Sequence, residues 1–241
     1  MRMNAAPVGA WTPAPPPLVE VLRLGLGIGR ASGGAFDIGM GDAVMAWGFG
    51  PRGADPDAIR AAMRARRPTH ETLELDAPGL RIRKHAPLSL DLNGIAKGYG
   101  VDRLAATLAA SGIVSGLVGI DGEMRALGLR PDGAPWAVAL EAPDPERRAP
   151  HALVALEDAA VATSGDYRHS VEVQGRRISH TMDPRRGAPL LESPASVTVV
   201  ARSCAGADAW VTALMVLGPD LGAEIARCHA LDALFLLRDD G

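Results

Sequence analysis

The chain has 241 residues, 47% of them hydrophobic and 22% charged, with a formal net charge of −3. Those proportions fit one large globular domain, or two small ones sharing a core, and they exclude the basic block with which a nucleic-acid binder neutralises a row of phosphates. Aromatic residues are only 4% of the chain, so alanine, leucine and valine must fill most of the interior.

The first residues, MRMNAAPVGAWTPAPPP, have no apolar h-region and are broken by prolines, so they do not read as a signal peptide. The longest apolar runs fall short of the roughly 18 residues of a spanning helix. Residues 12–17, TPAPPP, read as extended or polyproline-like. Residues 18–31 read as a helix with Val19, Leu22, Leu26 and Ala31 on its apolar side, weakened by three glycines. The glycine-rich SGGAFDIGMGDAVMAWGFGPRG over 32–53 reads as a loop. Asp55-Pro56 starts a short helix that runs to about Arg67.

TLELD and LRIRKH, separated by the turn DAPG, alternate as a β-hairpin. LSLDLNGIAKGYGVDRLAATLAASG reads as strand, tight turn at Asn93-Gly94, helix from about Ala96, and a stop at Gly112. VSGLVGI, PWAVALEAP and HALVALED read as strands. AVATSGDYRHSVEVQGRRISHTMDP reads as strand, turn and hairpin, with Thr163-Ser164-Gly165-Asp166 as the polar turn. SVTVVARS is an alternating strand, GADAWVTALMVLG a helix ending at Gly218, and DALFLLRDDG a last strand. Hairpins mixed with crossover helices predict a mixed α/β (α+β) fold.

Several side-chain patterns bear on chemistry. Asp208 and Thr212 stand four residues apart in an apolar helix, so they share a face. Spacing alone fits a solvated stripe, or a threonine bonding back to its own helix, better than a metal site. The functional alternative is a hard cation held by a carboxylate and a hydroxyl. In DLNGIAKGYGVDR a glycine turn opens a helix, and Lys97 adds positive charge where an anion could dock. An exposed lysine after an ordinary turn fits equally well. His180, where a strand gives way to DPRRG, could act as a general base, although for a lone histidine a hydrogen-bonded structural role is the commoner case. The aromatics and glycines around Asp37 could wall a planar ligand or pack onto the core. Six histidines with no HxxxH or HxH spacing argue against zinc. Cys204 and Cys228 match no redox or zinc motif and read as small apolar fillers; a disulfide between them requires an oxidising compartment.

In this order, SGGAFDIGMG…AWGFG, LDLNGIAKGYGVDRLA, VGIDGEMRALG, ATSGDYRHSVEVQGRRISHTMDPRRGAPL and SVTVVARSCAGADAWVTALMVLG resemble the ApbE family of flavin transferases. The resemblance implies a single ApbE-like (T-fold-like) domain over 1–241, with sheets, hairpins and crossover helices around an FAD cleft. It implies Mg²⁺-dependent transfer of FMN from FAD to a threonine hydroxyl of an acceptor protein, releasing AMP. The alternatives are hydrolysis of FAD to FMN and AMP, or flavin binding without turnover.

Residue by residue, it implies metal ligands at Asp208, Thr212 and the backbone carbonyl of Gly94. FAD contacts are implied at Ala35, Phe36, Asp37, Asp91, Lys97 and Ser179, and a base at His180. The resemblance implies a location in the periplasm or cell envelope, often as a lipoprotein; with no signal peptide read in these residues, a cytoplasmic location is the alternative. RMNAAP looks like the end of an early family segment, so the stretch before it, any membrane anchor and the extreme C-terminus are expected to be missing here. Asp121 in GIDGE and Asn93 in DLNG depart from the smaller residues usual in the family.

Overall fold

The structure is a computed structural model describing residues 3–51, 53–64, 67–144, 146–165, 170–173 and 176–238. In chain order the elements are β1 (Trp11–Pro13), α1 (Pro16–Ala31), α2 (Gly41–Ala46), α3 (Pro56–Arg64), α4 (Thr69–Thr72), β2 (Leu73–Asp76), β3 (Arg81–Lys84) and α5 (Asn93–Ala110). There follow β4 (Gly116–Ile120), β5 (Glu123–Leu127), β6 (Trp136–Glu141), β7 (Pro150–Leu156), β8 (Ala160–Gly165), β9 (Ser170–Val173) and β10 (Arg176–Ser179). The last are β11 (Met182–Asp183), β12 (Ala188–Pro189), β13 (Ser196–Ala201), α6 (Cys204–Cys228) and β14 (Asp232–Leu236). Helices and antiparallel sheets alternate irregularly, and the fold is mixed α+β. The residues form two compact units, Met1–Gly94 with Ile178–Leu191, and Ile95–Arg177 with Glu192–Gly241.

In the first unit α1 opens on prolines, whose missing amides would have had no intrahelical partner anyway. Val19, Leu22, Leu26 and Ile28 bury its apolar face, which outweighs the cost of its glycines. A three-stranded antiparallel sheet runs β1-β3-β2, with the hairpin where the alternation predicts it. Arg81 and Arg83 stack their guanidinium groups on the Trp11 ring, at 4.5 and 4.6 Å from its centroid.

Two expectations need correction here. The 32–53 stretch is not all loop, because α2 forms within it. Met40 and Ala43 bury against Met182, and the Trp47 indole donates to the Gly187 carbonyl at 2.9 Å. Tertiary packing supplies what the glycine-rich sequence lacks. Conversely, residues 88–92 are not a ladder strand. The segment is held by individual bonds instead: the Leu90 amide donates to Asn4 Oδ1 at 2.9 Å, and the Asp91 amide to the Ile38 carbonyl at 2.8 Å. The helix after it starts at Asn93, with non-helical angles at Gly94 (φ −83°, ψ 15°), earlier than the turn predicts.

The second unit is a five-stranded sheet of order β14-β13-β8-β5-β4, antiparallel at every step, plus the β6-β7 hairpin. Alternation along β8 separates two layers. Val161 packs with Val138, Leu140 and Leu156 of the hairpin, while its neighbour Ala160 packs with Val101 of α5 and Cys204 of α6. Val211, Leu214 and Met215 of α6 are fully buried, each burial contributing about 2 kcal/mol before entropy is charged against it.

By length and hydropathy α6 could cross a membrane, which the apolar runs in the sequence do not suggest, but half of that window is buried inside the molecule. It does not stop at Gly218. A kink there (φ 76°, ψ 179°) lets Pro219 open a second stretch that reaches Cys228. Thr163, Ser164 and Gly165 are strand residues of β8 rather than a turn; Asp166 lies outside the described residues. The Thr163 hydroxyl meets that of Thr198 at 2.8 Å, so strand pairing accounts for their polarity. Cys204 is buried, but Cys228 is exposed and fills no core. Both are free thiols at opposite ends of α6.

Candidate active site

The first unit holds Ala35, Phe36, Asp37, Asp91, Gly94, Ser179 and His180; the second holds Lys97, Asp208 and Thr212. In the first unit Ala35 and Phe36 are buried. The Asp37 carboxylate is already engaged by the chain. Its Oδ1 accepts from the Gly39 amide at 2.6 Å and from the Thr69 hydroxyl, and its Oδ2 from the Thr69 amide at 2.9 Å. Asp91 accepts from the Asn93 amide at 2.8 Å, an Asx turn that leads the chain into α5.

The backbone bond from Asp91 to Ile38 brings the 35–38 segment beside 90–93. Asn4, which motif reading leaves without a role, clamps this arrangement through both its amide oxygen and nitrogen to Leu90. The buried Lys84 adds bonds to the carbonyls of Asn4 and Leu88, at 3.0 and 3.3 Å. Ser179 is buried and accepts from the Thr181 amide at 3.2 Å, while His180 beside it is exposed. The turn that follows is fixed by Asp183, which accepts from the Arg185 amide at 2.9 Å. The Trp47 bond to Gly187 ties that turn to α2.

The second unit brings Lys97 and Asp208 together. Gly98 makes this possible: a Cβ there would lie 2.3 Å from the Cys204 carbonyl oxygen, so only glycine lets α5 approach the start of α6 so closely. The Gly98 amide then donates to Asp208 Oδ2 at 2.9 Å. Asp102, one turn further along α5, accepts from the amides of Cys204 and Ala205 at 2.9 Å each and pairs with Arg125 of β5. With Ser203, which accepts from the Gly206 amide, it caps the positive end of α6 and fixes the turn that carries Asp208.

Between β4 and β5 the two turn residues Asp121 (φ 50°) and Gly122 (φ 103°) both have positive φ, as a two-residue hairpin with an Asp-Gly turn requires. Aspartate is among the few side chains that tolerate this. The turn delivers Glu123 as the first residue of β5. Its Oε1 pairs with Lys97 Nζ at 2.8 Å, and the more exposed Asp121 lies 3.8 Å from the same ammonium. Glu123 is 3% exposed, and its Oε2 accepts no hydrogen bond among the described residues. No role for Glu123 follows from the sequence, although it stands inside a recognised motif. A glutamate after an Asp-Gly turn reads as a solvated side chain, and only the fold shows that it faces inward.

These charges perturb one another. Burial pushes the Asp208 carboxyl up to about 6; the Gly98 amide pulls it back, the Glu123 charge raises it further and Lys97 opposes. Burial alone would lower the Lys97 ammonium, but its hydrogen bond to Glu123 and the fields of Glu123, Asp208 and Asp121 hold it above its ordinary value. The Thr212 hydroxyl donates to the Asp208 carbonyl at 3.2 Å, the back-bond that the spacing favours. That bond uses its hydrogen and leaves its oxygen lone pairs as acceptors.

Among the described residues no three of His, Cys, Asp and Glu gather into a metal-binding group. The donors that do meet are oxygens in a negatively charged, partly unsatisfied cluster. They fit a hard divalent cation that takes its remaining ligands from other oxygens, such as those of a phosphate.

The ApbE family model matches residues 1–235. The FAD:protein FMN transferase of Vibrio cholerae is 39% identical over 227 residues, covering 92% of this chain and 68% of that protein. The enzyme of the same name from Escherichia coli K12 is 34% identical over 248 residues, covering 100% and 70%. The crystal structure of the Pseudomonas stutzeri flavinyl transferase ApbE in its apo form superposes with a TM-score of 0.85 at 41% identity, covering 99% of this chain and 74% of that one. On the family match, the identities and the shared fold, the chain belongs to the ApbE family of flavin transferases.

Proposed function

We propose that this chain transfers FMN from FAD to a threonine hydroxyl of an acceptor flavoprotein in a Mg²⁺-dependent reaction that releases AMP. The observation that carries this reading is the half-exposed Lys97 paired with the buried Glu123 beside the buried Asp208, with Thr212 one helical turn beyond, in a relative of FAD:protein FMN transferases. Asp208 and Thr212 hold the cation. When bound, Mg²⁺ neutralises the charge on the diphosphate oxygens. Lys97 orients the same diphosphate by charge, and Ala35, Phe36, Asp37, Asp91 and Ser179 are assigned to the rest of FAD.

His180 accepts the proton of the attacking threonine, which is a poor nucleophile until it is lost. The threonine oxygen forms a bond to the FMN phosphorus. The phosphoanhydride bond breaks, and AMP leaves with that electron pair. Little covalent work falls to the protein, so positioning and electrostatics supply most of the acceleration.

The test incubates the protein with FAD, Mg²⁺ and a flavin-acceptor domain and reads acceptor fluorescence in a denaturing gel together with AMP. Fluorescent acceptor and AMP in step support the reading. Free FMN without labelled acceptor makes the chain an FAD pyrophosphatase instead, and absence of both products overturns the proposal.

A further inference from the structure

We infer that Glu123 makes FAD uptake conditional on the divalent cation, by cancelling the charge of Lys97. The inference rests on the functional reading above, in which the Lys97 ammonium faces the diphosphate.

Glu123 and Asp121 pair with the Lys97 ammonium, and the charge of Asp208 acts on it as well. The other cation nearby, Arg125, is spent on Asp102. The two carboxylates paired with Lys97 already outnumber it, so the cluster is net negative, and a diphosphate is an anion. Lys97 cannot draw it in, because its closest partner, at 2.8 Å, already balances its charge from a buried position where water screens little. A divalent cation neutralises the cluster and removes the repulsion. Cation and diphosphate then bind with positive coupling, and linkage makes that coupling reciprocal.

Glu123 also does something a plain structural ion pair does not require. It buries a second oxygen, Oε2, with no donor among the described residues, a costly arrangement for a charge whose only task is to hold a lysine. That stored cost is relieved when positive charge enters the cluster, so it adds to the preference for cation and diphosphate together.

The experiment measures FAD affinity by calorimetry at about pH 8, well above the Asp208 pKa, in EDTA and in saturating Mg²⁺. The variants are Glu123→Gln and Glu123→Asp, with a thermal melt of each. The wild-type chain should bind FAD at least about tenfold more tightly with Mg²⁺. Glu123→Gln should shrink that ratio by about tenfold, chiefly by strengthening metal-free binding, because it frees the lysine charge while keeping the shape. Glu123→Asp, which keeps the charge, should retain the wild-type dependence. A merely structural glutamate would weaken both affinities together, and an unchanged ratio in Glu123→Gln overturns the inference.

Salt supplies a check that needs no variant. In EDTA, added monovalent salt should strengthen FAD binding to the wild-type chain by screening repulsion, and weakening by salt overturns the inference. A wild-type chain that binds FAD equally in EDTA and Mg²⁺ overturns it while leaving the transfer reading standing. One that binds no FAD even with Mg²⁺ overturns both.

Discussion

The backbone amide of Gly98 donates to the side-chain carboxylate of Asp208 at 2.9 Å, joining α5 directly to α6. Because a Cβ at position 98 would meet the Cys204 carbonyl oxygen, which is backbone and cannot rotate away, Gly98→Ala must push the two helices apart. The expected loss is about 2–3 kcal/mol of stability, with weaker Mg²⁺ binding as Asp208 moves. Denaturant melts and a metal titration of the same preparation check this; unchanged melts would show that the contact is slack.

Asp208→Asn should separate stability from function. The wild-type carboxyl has a folded pKa of about 6 against an ordinary 3.8, so its ionised form is the disfavoured one. A raised folded pKa means that its contribution to stability is complete below the ordinary value and is lost as pH rises through about 6. In metal-free protein this loss is on the order of 3 kcal/mol. Asn keeps the acceptor for Gly98 without the charge, so the variant should melt no lower than wild type above neutrality. Its stability should also lack this part of the pH dependence. Metal affinity runs the other way, since the ligand must be ionised: Mg²⁺ binding to wild type should weaken as pH falls below about 6. A variant less stable than wild type at high pH contradicts the assignment.

Asp102→Ala should uncap α6. It removes the acceptor for the Cys204 and Ala205 amides and strands Arg125, whose Nε already lacks a partner among the described residues. A loss of about 2–3 kcal/mol is expected in a chemical melt, exceeding that of a simple surface cap. A change below half a kcal/mol would mean that Ser203 suffices.

His180→Ala is expected to leave FAD affinity within about twofold of wild type and to slow transfer by about a hundredfold or more, the range of general-base removal. Calorimetry and the fluorescent acceptor assay read the two separately. Loss of FAD binding along with transfer would make His180 a binding residue.

Most of the strands and long helices are legible in the sequence because their periodicity is clean, as in SVTVVARS for β13 and Val19, Leu22 and Leu26 for α1. The errors cluster where partners distant in sequence decide. The α2 segment reads as loop until Met182 and Gly187 arrive to bury it, and 88–92 reads as a strand although Asn4 and Ile38 hold it instead. Gly218 reads as a helix end, but a positive φ turns it into a kink that Pro219 continues. At the site, the shared face of Asp208 and Thr212 follows from helical spacing. The inward course of Glu123 does not, because it depends on a two-residue turn and on where α5 passes.

Manganese, which replaces magnesium at oxygen sites and is visible by electron paramagnetic resonance, gives the most direct measurement of the central claim. Titrated into wild-type protein and Asp208→Asn at neutral pH, it should bind one site in the former. That site should vanish or weaken by at least about a hundredfold in the latter, while both proteins melt cooperatively. Equal manganese binding by the two proteins would contradict the claim that Asp208 anchors a divalent cation.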